Sequence, residues 1–321
     1  MVVGQSPEVL LRFFGLAIQH LNWFRSSFNS RRISMAQPLL DRPEYIEQTY
    51  LYQVLRERAD IEMPMQELLE QIRYELLTTT KLPLAIDYLL TELKHSGQMA
   101  PAMKKLSHYF TPFQAYLVEE AEKESGRFTM GTALEVLGGE AKYRTENHNE
   151  AGLFFYHFEV LCRNRLNYDR GLTAISNDPT FDRKWAKWIL MLRAQVGLVD
   201  IADLLFLASD EYRVRMEEAG QSIEGKGPFL FGRKEGRIAL GNRRREPIFL
   251  FAAMQRHLDY PTVPRPKPVD ENKDAIPQLM RRMERLESRI KLMEEERRAG
   301  IDITKFYVDR DGSGSSDSDR R

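Results

Sequence analysis

The chain has 321 residues, of which 47 are basic and 47 acidic, so its formal net charge is zero. This balance removes the overall attraction expected of a protein that coats nucleic acid or an anionic membrane, and any such binding must come from a local patch. Hydrophobic residues make up 42% of the chain, which supports a sizeable core and excludes collagen-like and wholly disordered classes. Because Cys162 is the only cysteine, an intrachain disulfide and a multi-cysteine zinc site are both excluded, and the composition is compatible with a reducing cytoplasm.

Residues 1–34 differ from the rest of the chain, because they contain four arginines and a single acid, Glu8. Their apolar stretch over residues 9–24 is interrupted by polar side chains and is too short and too polar to span a bilayer. Its apolar residues share a helical face, which also fits a transit peptide or a surface helix. We predict a loose or spurious extension that ends before Met35.

From residue 41 onward, apolar residues recur at the i, i+3, i+4, i+7 spacing of amphipathic helices. Thr111 and Pro112 provide an N-cap and a first-turn proline for one of them. Residues 153–161 are apolar around much of the helix circumference, which predicts a buried central helix. These patterns predict one multi-helix domain over residues 35–258.

Two further helix boundaries follow from the same signals. Gly138 and Gly139 predict the end of the helix that starts near Met130. Asp178 and Pro179 predict the start of the helix that carries the next apolar stripe.

The last third of the chain departs from the helical pattern. Residues 229–231 and 237–240, separated by a glycine-containing turn, predict a small β-hairpin near 228–240. Five of the fifteen prolines fall between Pro261 and Pro277, which predicts a stiff linker over 259–273. The fold class is therefore mainly α: a multi-helix globular body with one small β-hairpin, then a Pro-rich linker and a C-terminal coiled-coil helix.

Residues 274–299 carry the strongest pattern in the sequence. Their apolar residues follow the 3, 4, 3, 4, 3 spacing of a heptad repeat, with the a positions at Ile276, Met283 and Ile290 and the d positions at Leu279, Leu286 and Met293. Isoleucine at a with leucine at d favours two strands. The pattern predicts a coiled coil over 274–299, followed by a disordered tail over 300–321.

The charges beside this stripe predict the orientation of the partner. The same register places Arg282 and Arg289 at g, and Glu287 and Glu294 at e. In a parallel pair each g residue meets the e residue five positions later in the partner, so that opposite charges pair. We therefore predict a parallel homodimer. The alternative is an amphipathic helix that folds back onto its own body, because fewer than three heptads are marginal alone.

One basic concentration lies between residues 226 and 245, where seven cations are opposed only by Glu235. Next to the predicted hairpin, it suggests a nucleic-acid-binding protein of winged-helix type. The residues that would contact nucleic acid, or an acidic partner, are Arg233, Lys234, Arg237, Arg243, Arg244 and Arg245. Against this alternative, the preceding helices carry acids that would face the phosphate backbone, and local basic runs are usually solvated surface.

The sequence nominates no catalytic residues, cofactor or metal. Residues 220–226 have the spacing of a phosphate-binding loop, but neither a preceding strand nor the hydroxyl after Lys226 is present. Glu92 and His95 have the spacing of one half of a carboxylate-bridged metal site, without the second half.

We therefore expect a non-enzymatic, cytoplasmic helical scaffold or adaptor that dimerises through its C-terminal coiled coil and binds a protein partner of unknown identity. A nucleic-acid-binding regulator is the alternative, and a helical enzyme with an unrecognised pocket is the third reading.

Overall fold

A computed structural model describes most of the chain, and within its described residues the protein forms fourteen helices and no strand. The mainly helical fold class is therefore confirmed. The described residues are 39–59, 63–123, 128–146, 149–223, 225–265 and 271–298. The predicted extension over residues 1–34 and the predicted tail over 300–321 lie outside them.

The helices are α1 (Arg42–Ala59), α2 (Met65–Arg73), α3 (Leu82–Ser96), α4 (Ala100–Lys105), α5 (Pro112–Ala121), α6 (Met130–Thr145), α7 (Glu150–Arg163), α8 (Tyr168–Ser176), α9 (Arg183–Gln195), α10 (Ile201–Leu207), α11 (Asp210–Glu218), α12 (Arg233–Gly241), α13 (Pro247–Leu258) and α14 (Glu271–Arg298).

These helices belong to two compact units. Unit 1 contains the described residues of 1–41, together with 111–113 and 143–263, and unit 2 contains 42–110, 114–142 and the described residues from 264 onward. The chain passes between the units at several points, one of which lies inside α6. Each unit is therefore built from several separate segments. The helical pattern predicted one domain over residues 35–258 and gave no sign of this division.

The core of unit 1 is built around α7. The Asn149 side chain caps this helix by accepting a hydrogen bond from the Gly152 amide, and residues 152–161 are all buried. Phe154 lies against Trp188 of α9 with 5.1 Å between ring centroids. The prediction of a buried central helix is confirmed.

The predicted helix start at Asp178 and Pro179 is wrong, because α9 begins at Arg183. Asp182 caps it by accepting hydrogen bonds from two amides of the first turn. Asp178 is instead buried in unit 1, where it pairs with the fully buried Arg144. An aspartate just before an apolar helical stripe can be an N-cap or a buried counter-ion, and the local sequence does not distinguish the two roles.

The predicted helix end at Gly138 and Gly139 is also wrong, because α6 continues to Thr145. A Cβ added at Gly138 would lie 3.6 Å from the Tyr52 Cβ. This glycine lies in ordinary packing contact with α1 and does not end the helix.

Two buried carboxylates of α1 hold the loop that precedes α3 in unit 2. Glu47 accepts a hydrogen bond from the Leu77 amide at 3.0 Å. Glu44 accepts one from the Lys81 amide at 2.8 Å and another from the Tyr109 hydroxyl at 2.9 Å. These bonds fix two amides of the loop and satisfy the hydroxyl group of the buried Tyr109.

The predicted β-hairpin is wrong. The first predicted strand forms only an isolated bridge between Phe231 and Ser209, with the Leu230 and Phe231 amides donating to the Ala208 carbonyl. The second predicted strand belongs to helix α12. Gly236, taken as part of the turn, lies inside this helix, where an added Cβ would be only 2.7 Å from the Glu211 Cβ. The glycine therefore permits close packing between two helices.

The predicted linker over 259–273 is wrong at both ends, because residues 259–263 belong to unit 1 and residues 271–273 belong to α14. Tyr260 and Val263 are buried in unit 1, and the Tyr260 hydroxyl donates a hydrogen bond to the Glu159 carboxylate at 2.6 Å. Residues 266–270 lie outside the described part of the chain. Pro261, the first of the clustered prolines, therefore lies in the packed part of unit 1.

In the part of the chain that the structure describes, no helix combines the length and apolar character needed to cross a membrane.

Candidate interaction surfaces

Helix α14 packs against α3 of unit 2 through a polar face. Arg285 donates a hydrogen bond from Nη2 to the Glu122 carbonyl oxygen at 2.9 Å, and Ser288 is buried. At the end of α3, Gly97 has a left-handed backbone with φ +67°, and a Cβ added there would lie 2.9 Å from the Arg285 Cα. The two helices therefore approach each other at a position where only glycine fits.

Glu122 organises this docking region. Its carboxylate accepts hydrogen bonds from the Met99 and Ala100 amides at 2.6 and 3.3 Å. Burial raises the pKa of the carboxyl group above its ordinary value, although these bonds and the nearby Arg285 and Arg281 act in the opposite direction. A buried acid thus fixes the start of α4, while its own backbone carbonyl binds α14.

The apolar stripe of α14 is solvent-exposed. Five of its predicted seam residues have 50–59% of their surface exposed: Leu279, Met283, Leu286, Ile290 and Met293. The side chain of the sixth, Ile276, lies outside the described part. A contiguous exposed apolar stripe is unusual on a protein surface and indicates an interaction surface.

The docked face and the exposed stripe occupy opposite sides of the helix. In the predicted register, Glu284 and Arg285 are at b and c, and Arg281 and Ser288 are at f. These four residues are buried or half-buried. Positions b, c and f lie opposite the a and d seam. The four flanking residues, Arg282, Glu287, Arg289 and Glu294, are exposed.

The predicted basic surface in unit 1 is partly neutralised by acids. Arg243 forms an ion pair with Asp203, and the Arg244 amide donates to an Asp200 carboxylate oxygen at 2.7 Å. Asp200 also caps α10. The acids that the sequence analysis placed opposite a phosphate backbone are therefore paired with this segment.

The other predicted basic residues lie on or near α12. Lys234 and Arg245 are exposed. Arg233 and Arg237, one helical turn apart, both reach Glu211 of α11. The structure thus separates Arg233 and Arg237 from Arg243, which has a different acid as its partner.

A third arginine, Arg215, also contacts Glu211 and was not among the predicted basic residues. Arg215 donates from Nε to Glu211 at 3.1 Å and lies over the Phe206 ring, with 5.6 Å from Cζ to the ring centroid. The i, i+4 spacing of Glu211 and Arg215 on one helix is the signal that could have found it.

Neither Glu92, the possible metal ligand, nor Cys162, the possible reactive thiol, lies in an arrangement typical of a catalytic or metal site. Glu92 accepts hydrogen bonds from the Lys105 ammonium and the Tyr88 hydroxyl, and the first of these lowers the pKa of its carboxyl group. Burial raises the pKa of the Cys162 thiol to about 11. Among the described residues, no group of three or more histidines, cysteines or acids is arranged to hold a metal ion.

Comparisons with known proteins give no match: no family model, no curated protein and no solved structure is similar to this chain.

Proposed function

We propose that the protein is a non-enzymatic cytoplasmic scaffold or adaptor that forms a parallel homodimer through α14. One observation carries this proposal: the seam residues of a regular heptad are exposed on a helix whose opposite face is docked on unit 2. The cytoplasmic location is supported by the single cysteine, which rules out an intrachain disulfide.

The arrangement of α14 favours a second copy as the occupant of the seam. An isolated coil of this length is marginal because the two chains must order their helices as they associate. Docking on unit 2 offsets part of this cost, since the helix is already held in place by Arg285 and its neighbours. The seam and its flanking charges stay accessible for the partner helix.

The intrachain alternative predicted a seam covered by the body of the same chain. The helix does fold back, but it contacts unit 2 with its polar face and leaves the seam exposed. The winged-helix alternative loses its support, because the hairpin that would form the wing is replaced by α12.

Light scattering after size exclusion tests the proposal at micromolar concentration. We expect a dimer for the parent chain and a monomer for the double variant Leu286→Glu with Ile290→Glu, because four acids would be buried in the seam. The matched control is Leu77→Glu with Leu84→Glu, which changes two exposed leucines of unit 2 outside α14. A monomeric parent chain, or a dimer that survives the seam variant, would contradict the proposal.

A further inference from the structure

The close approach of α11 and α12 places three arginines around one carboxylate in unit 1. Gly236 permits this approach, because a Cβ added there would lie only 2.7 Å from the Glu211 Cβ. Arg233 and Arg237 come from α12, while Glu211 and Arg215 come from α11. We call Arg215, Arg233 and Arg237 the arginine cluster.

Each of the three arginines contacts the Glu211 carboxylate through its Nε atom. The Nε–Oε distances are 3.1 Å for Arg215, 3.1 Å for Arg237 and 3.6 Å for Arg233. Their side chains are 49%, 61% and 53% exposed, whereas that of Glu211 is only 7% exposed. Glu211 therefore anchors the guanidinium groups from below while half of each side chain remains on the surface.

Among the described residues, the terminal nitrogens of these guanidinium groups, Nη1 and Nη2, donate no hydrogen bond. A guanidinium group carries five N–H donors in a planar fork. Hydrogen bonds to Glu211 use the Nε donor of Arg215 and that of Arg237, whereas Arg233 contacts Glu211 as an ion pair at 3.6 Å. Most donors of the cluster are consequently available to a second acceptor.

Neutralising Glu211 requires one positive charge, and the cluster supplies three. The excess is two positive charges on half-exposed side chains that are already held in place. Arg215 is fixed further by the Phe206 ring. Anchored arginines lose less side-chain entropy on binding than mobile ones do.

We infer that the arginine cluster binds the dianion of a phosphate monoester, carried by a phosphoserine of a partner protein. Arginine forks match phosphate oxygens in geometry and form strong charge-assisted hydrogen bonds with them. The excess charge of the cluster equals that of one such group near neutral pH. This inference names the partner chemistry of the proposed adaptor and rests on that proposal.

The neighbouring acids favour one compact dianion over a nucleic-acid backbone. Asp210 lies beside Glu211 in the first turn of α11, and the chain continues to Glu217 and Glu218 at its end. A strand of singly charged phosphates that crossed the cluster would pass close to these acids.

Isothermal titration tests the inference with a short, otherwise neutral peptide that carries one phosphoserine. We expect the parent chain to bind this peptide and not its unphosphorylated form. The triple variant Arg215→Lys with Arg233→Lys and Arg237→Lys keeps the charge and the counter-ions of Glu211 but lacks the planar forks, and we expect at least about tenfold weaker binding. The control changes three exposed arginines of unit 1 outside the cluster, Arg165, Arg183 and Arg256, to lysine and should bind as the parent does.

The outcomes separate the ligand sources and the two proposals. Inorganic phosphate that binds as tightly as the peptide supports the site and assigns it to the free anion. An unbound phosphopeptide, equal binding by the triple lysine variant, or tighter binding of duplex DNA at the same ionic strength overturns the inference. Because each titration is also run on the monomeric seam variant, loss of the dimer is distinguishable from loss of the phosphate site.

Discussion

The Arg285 backbone lies so close to Gly97 that a Cβ at position 97 would be 2.9 Å from the Arg285 Cα. Real Cβ atoms do not approach a backbone atom this closely, so any side chain at position 97 must displace α14. The same glycine ends α3 in the left-handed conformation and donates its amide to the Leu93 carbonyl. One residue thus ends one helix and permits another to dock.

Gly97→Ala should therefore release α14 from unit 2. Spin labels at Thr91→Cys in α3 and Lys291→Cys in α14, in a Cys162→Ser background, report the distance between the helices within one chain when labelled chains are diluted with unlabelled ones. We expect a narrow distance distribution in the parent and a broad one in the Gly97→Ala variant.

The control for this prediction is Gly220→Ala. Gly220 has nearly the same backbone angle, φ +66° against +67°, but no atom lies within 4 Å of its added Cβ. Both variants incur the left-handed penalty of about 1 kcal/mol, and only Gly97→Ala meets α14. An unchanged distribution in Gly97→Ala would show that the helix docks without this contact.

Local sequence signals predicted where these helices lie, but they did not predict which glycines end a helix and which lie inside one. The heptad spacing placed α14, and the apolar circumference of residues 153–161 placed α7. Gly138 and Gly236 were read as helix ends or turns, yet both lie inside helices that pack against other helices. Such packing depends on residues distant in sequence, Tyr52 for Gly138 and Glu211 for Gly236, and no local pattern encodes it.

Asp178→Asn should destabilise the protein by about 3–5 kcal/mol, because the fully buried Arg144 would lose its counter-ion. The Arg144 guanidinium also donates to the Thr180 hydroxyl at 2.8 Å. Urea unfolding at neutral pH measures the change in free energy. Replacing both partners by apolar residues, Arg144→Met with Asp178→Leu, should cost less than Asp178→Asn alone, and the opposite order would contradict the account.

The same ion pair predicts a loss of stability in acid. Burial is the largest single influence and would raise the pKa of the Asp178 carboxyl group, but Arg144, His157 and the hydrogen bonds with Thr180 together outweigh it and hold the pKa below the ordinary 3.8. The stabilisation is therefore fully present above about pH 3.8 and is lost as the pH falls through the lower, folded-state pKa. Unfolding midpoints over this range should fall less steeply for the double apolar variant than for the parent chain.

Cys162 should react slowly with iodoacetamide in the folded protein. Burial raises the pKa of its thiol from 9.0 to about 11, although a hydrogen bond with Tyr168 acts in the opposite direction. At pH 8 this change leaves roughly 100-fold less reactive thiolate. Mass spectrometry of alkylation with and without urea measures the ratio of the two rates, and equal rates would show that the thiol is accessible.

The exposed apolar stripe of α14 was predictable, because its residues come from one continuous segment. The arginine cluster was not, since its residues come from two helices separated in sequence by the segment over 219–232. The basic run predicted Arg233 and Arg237 but grouped them with Arg243, which the structure pairs with Asp203. Charge composition identifies a basic segment, whereas the position of each counter-ion depends on the tertiary fold.

The four charges that flank the predicted seam allow a test of the parallel orientation. A fully swapped chain, with Arg282→Glu and Arg289→Glu combined with Glu287→Arg and Glu294→Arg, keeps opposite charges at g and e and should form its own parallel homodimer.

Mixed dimers of the swapped and parent chains would bring like charges together at all four g–e contacts of a parallel pair. At about 0.3–0.5 kcal/mol for each exposed pair, this disfavours the mixed dimer by roughly tenfold or more. In an antiparallel pair the g residues face each other, and so do the e residues, so the mixed dimer would instead be favoured. Native mass spectrometry of the two chains, refolded together and distinguished by mass, measures the proportions. Self-sorting into two homodimers is the expected result, and a predominance of mixed dimers would establish the antiparallel arrangement.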